Sequence, residues 1–243
     1  MVDSVMTPIS VKPTCYMCDA PATSREHVPP LCIFPEMKDM QDGIDYRKNL
    51  ITVPSCDAHN LKKSTDDEYL QLLVIHGYFN NPLAEKQFKT KLLRAFSRNP
   101  ALLVQLHQDN TPVVVDGVET EAVTIDRDRF ERSLEMIVRA LHFHVFKERL
   151  LHPMRIHTTL LVDMESEVAD VNNDGVKKFC AGVRELVGDA APVGTNPDIF
   201  WFKYRCHEQS CGWHLSFYGG FDVYVLTSPR WAGPALSQQG VRP

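Results

Sequence analysis

The clearest periodicity in the chain lies in RDRFERSLEMIVRALHFHVFKERLL, where Phe130, Leu134, Ile137, Leu141 and Val145 recur at three- and four-residue intervals. That spacing puts them on one helical face and predicts a long amphipathic helix over about 127–149. Leu61, Tyr69, Leu72, Leu73 and His76 carry a similar spacing, which predicts a helix from Asn60 to about Phe79. Ser64 followed by Asp67 resembles a capping pattern, so a second helix could restart there. Residues 83–108 read as one or two helices broken near Asn99-Pro100, and a further helix is expected near 174–187.

Strand signals fill the rest. TPVVVDGVETEAVTI holds two β-rich runs around Asp116-Gly117, a hairpin signal. Another run spans about 155–163, and DIFWFKYRCHE and GWHLSFYGGFDVYVLT predict two or three more strands. Trp213, Leu215, Phe217, Phe221, Val223 and Val225 would share one face if Gly219-Gly220 did not interrupt. Tyr218, Tyr224 and Leu226 fall on the other. A strand apolar on both faces is central in a sheet or covered by a helix, and the 127–149 helix is the longest candidate cover. Near the N-terminus, REHVPPLCIF is β-rich, but Pro29 and Pro30 must end any strand. LITVP is a second short strand, closed by Pro54, and the polar MKDMQDGIDYRKN between them reads as a loop. The expected fold class is α+β. An N-terminal ββα module within 1–80 precedes a mixed helical and antiparallel-sheet region over 81–243, packed closely on it. The first 14 residues are aperiodic and read as extended or loose.

Composition narrows the setting. Apolar residues make up 44% and charged residues 23%, ordinary for a globular protein. A net charge of −5 argues against a chain coated in basic surface, though not against a local basic groove. No apolar run approaches the roughly 18 residues of a membrane span. MVDSVMTPIS lacks the basic and apolar regions of a secretory signal. The expectation is therefore a cytoplasmic protein with no membrane partner, where clustered cysteines bind metal more often than they form disulfides.

Three of the seven cysteines lie in the first quarter. Cys15-x2-Cys18 forms one knuckle and Cys56-x2-His59 another. Zinc takes four such ligands as a tetrahedron, and two short knuckles supply them without strain. A small ββα unit has little core of its own, so a structural zinc would supply much of its stability.

Between and beside the knuckles stand REHVPP, KNL and HNLKKS. In that order they resemble the HNH (ββα-metal) endonuclease family, in its zinc-knuckle subgroup, over about residues 13–70. Glu26-His27 matches the first element, Asn49-Leu50 the second and Asn60 the third. His59 stands in place of the more frequent Cys, and Asn60 in place of a His. The resemblance implies a metal-dependent nuclease that hydrolyses phosphodiester bonds, in DNA rather than RNA, in a setting such as restriction or phage defence. His27 would be the general base. Glu26 and Asn60 would hold a catalytic Mg2+ or Mn2+, and Asn49 would fix the His27 loop through backbone hydrogen bonds. Lys62 and Lys63, close to Asn60, could reach phosphates. Residues 81–243 would recognise substrate, pair with a second copy or bind a partner protein.

Each residue also has a plainer reading. Asn60 could cap a helix, Glu26 could be a surface charge, His27 a structural loop residue, and His59 the third catalytic residue. If Glu26, His27, Asn49 and Asn60 are all structural, the chain is instead a non-catalytic zinc module that binds nucleic acid or protein. Elsewhere, CHEQSCGWH gathers Cys206, His207, Cys211 and His214, either as a second metal site or as a hairpin with buried cysteines. His142 and His144, two apart on a helix, do not share a face. Asp66, Asp67 and Glu68 read as a solvated helix start.

Overall fold

The computed structural model describes residues 13–40, 43–60, 64–77, 79–98, 110–115, 117–164 and 166–231. Lys62, Lys63 and the Asn99-Pro100 break lie outside them. Strand β1 (Ser24–His27) pairs antiparallel with β2 (Thr52–Ser55), followed by the short helix α1 (Asp57–Asn60) and by α2 (Ser64–Ile75). Next, α3 (Pro82–Gln87), a π-helical stretch (Phe88–Leu92) and α4 (Leu93–Arg98) run end to end. The hairpin β3 (Thr111–Val115) and β4 (Val118–Ala122) turns at Gly117, whose φ of 82° suits glycine. Then come α5 (Arg127–Phe146), β5 (Met154–His157), α6 (Ala169–Val187), β6 (Val193–Asn196), β7 (Phe200–His207), β8 (Ser210–Phe217) and β9 (Phe221–Thr227). The last five strands form one antiparallel sheet in the order β5-β9-β8-β7-β6. The architecture is mixed α+β.

Helix α5 is the organising element. Asp126 caps it by accepting from Arg129 N at 3.0 Å, and Lys147 ends it in the left-handed region. Phe130, Leu134, Ile137 and Leu141 are buried along one face, with Val145 half-buried. That face lies against the sheet side formed by Trp213, Leu215, Phe217, Phe221, Val223 and Val225. The Phe130 and Phe221 rings meet edge to face at 6.1 Å. Gly219-Gly220 does not break this surface, because it is the turn between β8 and β9, and Phe217 and Phe221 are register partners across it. On the opposite side of the sheet, Cys180 and Val183 of α6 cover Tyr224, with Leu226 packed against them.

One continuous core runs from Cys15 to Val225, across the boundary expected near residue 80. Arg129 of α5 pairs with Asp66 of α2 at 2.6 Å and lies over the Tyr69 ring, so Asp66 serves a helix–helix tie. A second junction is polar and largely shielded from solvent. The Cys32 carbonyl accepts from Gln71 Nε2 at 2.5 Å, Gln87 Nε2 at 3.2 Å and Lys91 Nζ at 2.9 Å. The adjacent Ile33 carbonyl meets the Tyr218 hydroxyl from the β8–β9 turn. Asn81 joins the same turn by donating its N–H to the Tyr218 carbonyl at 2.9 Å, while its side chain caps α3.

Several boundaries differ from the expected ones. Helix α2 stops at Ile75, not Phe79, because Asn80 Nδ2 donates to the Val74 and Ile75 carbonyls and closes its end. Strand β5 covers only Met154–His157, because Leu161 N bonds back to the Thr158 carbonyl and turns the chain. Helix α6 begins five residues early, at Ala169, and β6 was not expected at all.

The β8–β9 turn tests this packing. A Cβ on Gly220 would lie 2.2 Å from the Phe79 carbonyl, which is backbone and cannot rotate away. Gly220→Ala should therefore cost about 2–4 kcal/mol in denaturant unfolding. Gly182→Ala on α6, where a Cβ meets nothing within 4 Å, should be neutral or stabilising. Equal midpoints for the two variants would contradict the close approach.

Candidate metal centre and catalytic cluster

The hairpin β1–β2 and helix α1 bring the two knuckles together. The first knuckle is pinned by Cys15 N donating to the Ala20 carbonyl and by Tyr16 N donating to the Pro54 carbonyl, both at 2.9 Å. The second starts α1, where His59 N and Asn60 N both donate to the Cys56 carbonyl at 3.0 Å. As a result the Cys15, Cys18 and Cys56 sulfurs and a His59 ring nitrogen all lie within 4.8 Å of one another. Among the described residues this is the group of metal-binding side chains that converges.

Its dimensions discriminate between chemistries. The Cys18 and Cys56 sulfurs are 3.8 Å apart, far beyond a disulfide bond of about 2.05 Å. His59 Nδ1 lies 3.6 Å from the Cys15 and Cys18 sulfurs and 3.2 Å from that of Cys56. A tetrahedron with Zn–S near 2.3 Å and Zn–N near 2.05 Å has edges of about 3.8 and 3.6 Å. The four residues therefore fit a structural zinc ion, with Nδ1 the His59 atom placed to complete the tetrahedron. Burial would raise the Cys56 thiol, but hydrogen bonds from the His59 side chain and backbone outweigh it and bring it down to about 7. A thiol poised there loses its proton readily to a metal.

The second set of residues lies along β1, where alternation divides them between two faces. Ser24 and Glu26 point toward α1 and the core; Arg25 and His27 point the other way. Asn60, the last residue of α1, donates Nδ2 to Ser24 Oγ at 2.8 Å, which brings it to the Glu26 face. Glu26 is buried at 5% exposure, and its Oε1 accepts from the Tyr16 hydroxyl at 3.3 Å. Glu26 is therefore not a surface charge. The Glu26 carboxylate and the Asn60 amide oxygen are hard donors of the kind that suit Mg2+ or Mn2+.

His27 is half-buried at the end of β1, opposite Thr52. Desolvation lowers its pKa below the ordinary value, and the Arg47 cation adds to this against the opposing Glu26 charge. The ring is thus neutral near pH 7 and able to accept a proton. Asn49 is exposed, with φ 57°, at the entry to β2. The loop after His27 is held by Val28 N donating to the Ile51 carbonyl at 2.9 Å and by the donors on Cys32 and Ile33.

Two cations near His27 escaped the sequence reading. Arg25 donates Nε to Thr52 Oγ1 at 2.8 Å and Nη2 to the Thr52 carbonyl at 3.0 Å, so its guanidinium sits beside the partner of His27. Arg47 is tethered to the Phe34 carbonyl at 3.1 Å. The strand alternation of REH could have placed Arg25 on the His27 face, whereas no local pattern marks Arg47. The second cysteine cluster resolves into the hairpin: Cys206 and Cys211 are joined by a disulfide across β7–β8. His207 is exposed at its turn, and His214 stacks on Tyr224 on the opposite face. His142 packs between Phe146 and Trp213 at the core edge.

Removing one knuckle ligand should release the metal and the fold around it. Cys18→Ser and Cys56→Ser are expected to lose the single equivalent of zinc and to melt well below the parent chain, by elemental analysis and thermal denaturation. Full zinc content in both variants would reject the ligand set.

No family model, curated protein or solved structure matches the chain. A reading of its function therefore rests on the chemistry of this site.

Proposed function

We propose that the chain is a metal-dependent endonuclease of the HNH (ββα-metal) type, acting on DNA, with a structural zinc at the base of its β1–β2–α1 module. The observation that carries this reading is the grouping at the end of β1. A buried Glu26 lies on the same side as the Ser24-bound Asn60, and the adjacent His27, half-buried and close enough to feel the Glu26 charge, ends the strand near Arg25. A purely structural zinc module has no need of that second set.

A divalent ion held by Glu26 and Asn60 would supply Lewis-acid stabilisation of charge on the scissile phosphate. The remaining chemistry falls to side chains. Hydrolysis adds water across one P–O bond. The water oxygen bonds to phosphorus while its proton passes to neutral His27, and the bridging oxygen leaves to be protonated from solvent. Arg25 and Arg47 offer positive charge on the face where a phosphate backbone would lie, despite the net negative chain. Residues 81–243 support the site by holding the loop that follows His27.

A second reading has one observation in its favour. Glu26 is nearly enclosed and bonded to Tyr16, as a carboxylate with a purely structural role would be. On that reading the Arg25–Arg47 face binds nucleic acid without cutting it. Plasmid nicking with Mg2+ or Mn2+ separates the two, since retention of DNA without nicking rejects the nuclease.

His27→Ala should keep zinc and fold but nick about 100-fold more slowly or worse. Asn60→Ala should nick slowly at low Mn2+ and recover in part at high Mn2+. The pH profile follows from the sign of the His27 shift. A general base works when deprotonated, so the rate should fall only on acidification below the ordinary imidazole value of about 6.5. Arg47→Gln removes a cation that lowers His27 and should move that acid limb to higher pH. An acid limb unmoved in Arg47→Gln would contradict the coupling.

A further inference from the structure

We infer that Tyr16 is a positioning residue for the Glu26 carboxylate, so that the zinc knuckle itself forms part of the second metal site. This rests on the nuclease reading of Glu26 and Asn60. Tyr16 is the residue directly after the first knuckle cysteine, where its neighbours Cys15 and Cys18 are committed to the metal cluster. Yet its side chain is not spent on the knuckle. It is 1% exposed and crosses to β1, where the hydroxyl donates to Glu26 Oε1 at 3.3 Å. Its backbone N–H is fixed to the Pro54 carbonyl of β2 at 2.9 Å. Pro54 pairs with Arg25, and the preceding β2 residue, Val53, pairs with Glu26. Tyr16 is therefore held at both ends, by zinc-site geometry and by β2, with its phenol aimed at the carboxylate.

A buried carboxylate is oriented by whichever donors reach it. With one oxygen engaged by Tyr16, rotation of the carboxylate is restrained before any ion arrives, and a pre-oriented ligand binds metal more tightly than a free one. Second-layer hydrogen bonds of this kind change metal affinity by roughly ten- to a hundredfold. The phenol does not touch substrate or ion. It acts through Glu26, and zinc acts through the phenol.

Tyr16→Phe in the full chain removes one oxygen and keeps the buried ring. The probe is Mn2+ alone, with binding followed by the electron paramagnetic resonance signal of the free ion, alongside zinc content and thermal melting. Expected is one retained equivalent of zinc, a melting point close to the parent, and Mn2+ binding about tenfold weaker. Nicking should recover at high Mn2+. Unchanged Mn2+ affinity with zinc retained overturns the inference while leaving the nuclease reading standing. Loss of zinc or of the folded state also overturns it, since Tyr16 would then serve the fold alone. Glu26→Gln separates the two ideas: if it binds Mn2+ as well as the parent does, the assignment of Glu26 fails, and the inference fails with it.

Discussion

Two backbone carbonyls, the part-buried one of Cys32 and the buried one of Ile33, tie the two ends of the molecule together. A carbonyl taken out of water must find donors, and here the donors come from remote parts of the chain. Gln71 is supplied by α2, Gln87 by α3, Lys91 by the π-helical stretch and Tyr218 by the β8–β9 turn. Burial strengthens each of these bonds and penalises losing any of them. The loop of residues 28–34 directly follows His27, so the same bonds that join the N-terminal hairpin to the C-terminal sheet also fix the end of β1. The large C-terminal region is thereby tied to the candidate site without adding a side chain to it.

Two kinds of rigidity meet at β1. From one side the Cys15–Cys18–Cys56–His59 cluster clamps the hairpin to α1. From the other, the carbonyl junction clamps the loop to the sheet. A strand of four residues is too short to hold a register by its own ladder. Between the two clamps it presents a carboxylate inward and an imidazole outward at adjacent positions. The low exposure of Glu26 and the depressed pKa of His27 follow from this confinement.

Much of the fold could be read in advance, where the signal was local and strong. Helix α5 declared itself through Phe130, Leu134, Ile137 and Leu141, and the two sheet faces through Trp213 to Val225. The knuckles were equally plain, because Cys-x2-Cys and Cys-x2-His are contiguous patterns. What stayed hidden depended on partners far away in sequence. Strand β6 is mostly exposed and lies at a sheet edge, so VGTN carries no alternation to detect. The start of α6 was obscured by Asn172 and Asn173, poor helix formers whose amides bond to Asp163. Tyr16 looks ordinary in sequence, and only its backbone bond to Pro54 of β2 and its reach to β1 bring it beside Glu26.

The pairing of β1 with β2 carries a consequence for how the chain tolerates change in length. In a strand, shifting the sequence by one position exchanges its two faces. Deleting one residue between Cys18 and Ser24 would press β1 toward a slipped register, with the imidazole turned inward and the carboxylate turned to water. A point substitution in the same stretch alters one side chain, whereas a single-codon deletion would invert the whole strand. The stretch between Cys18 and Ser24 should therefore accept many different residues while holding its length constant.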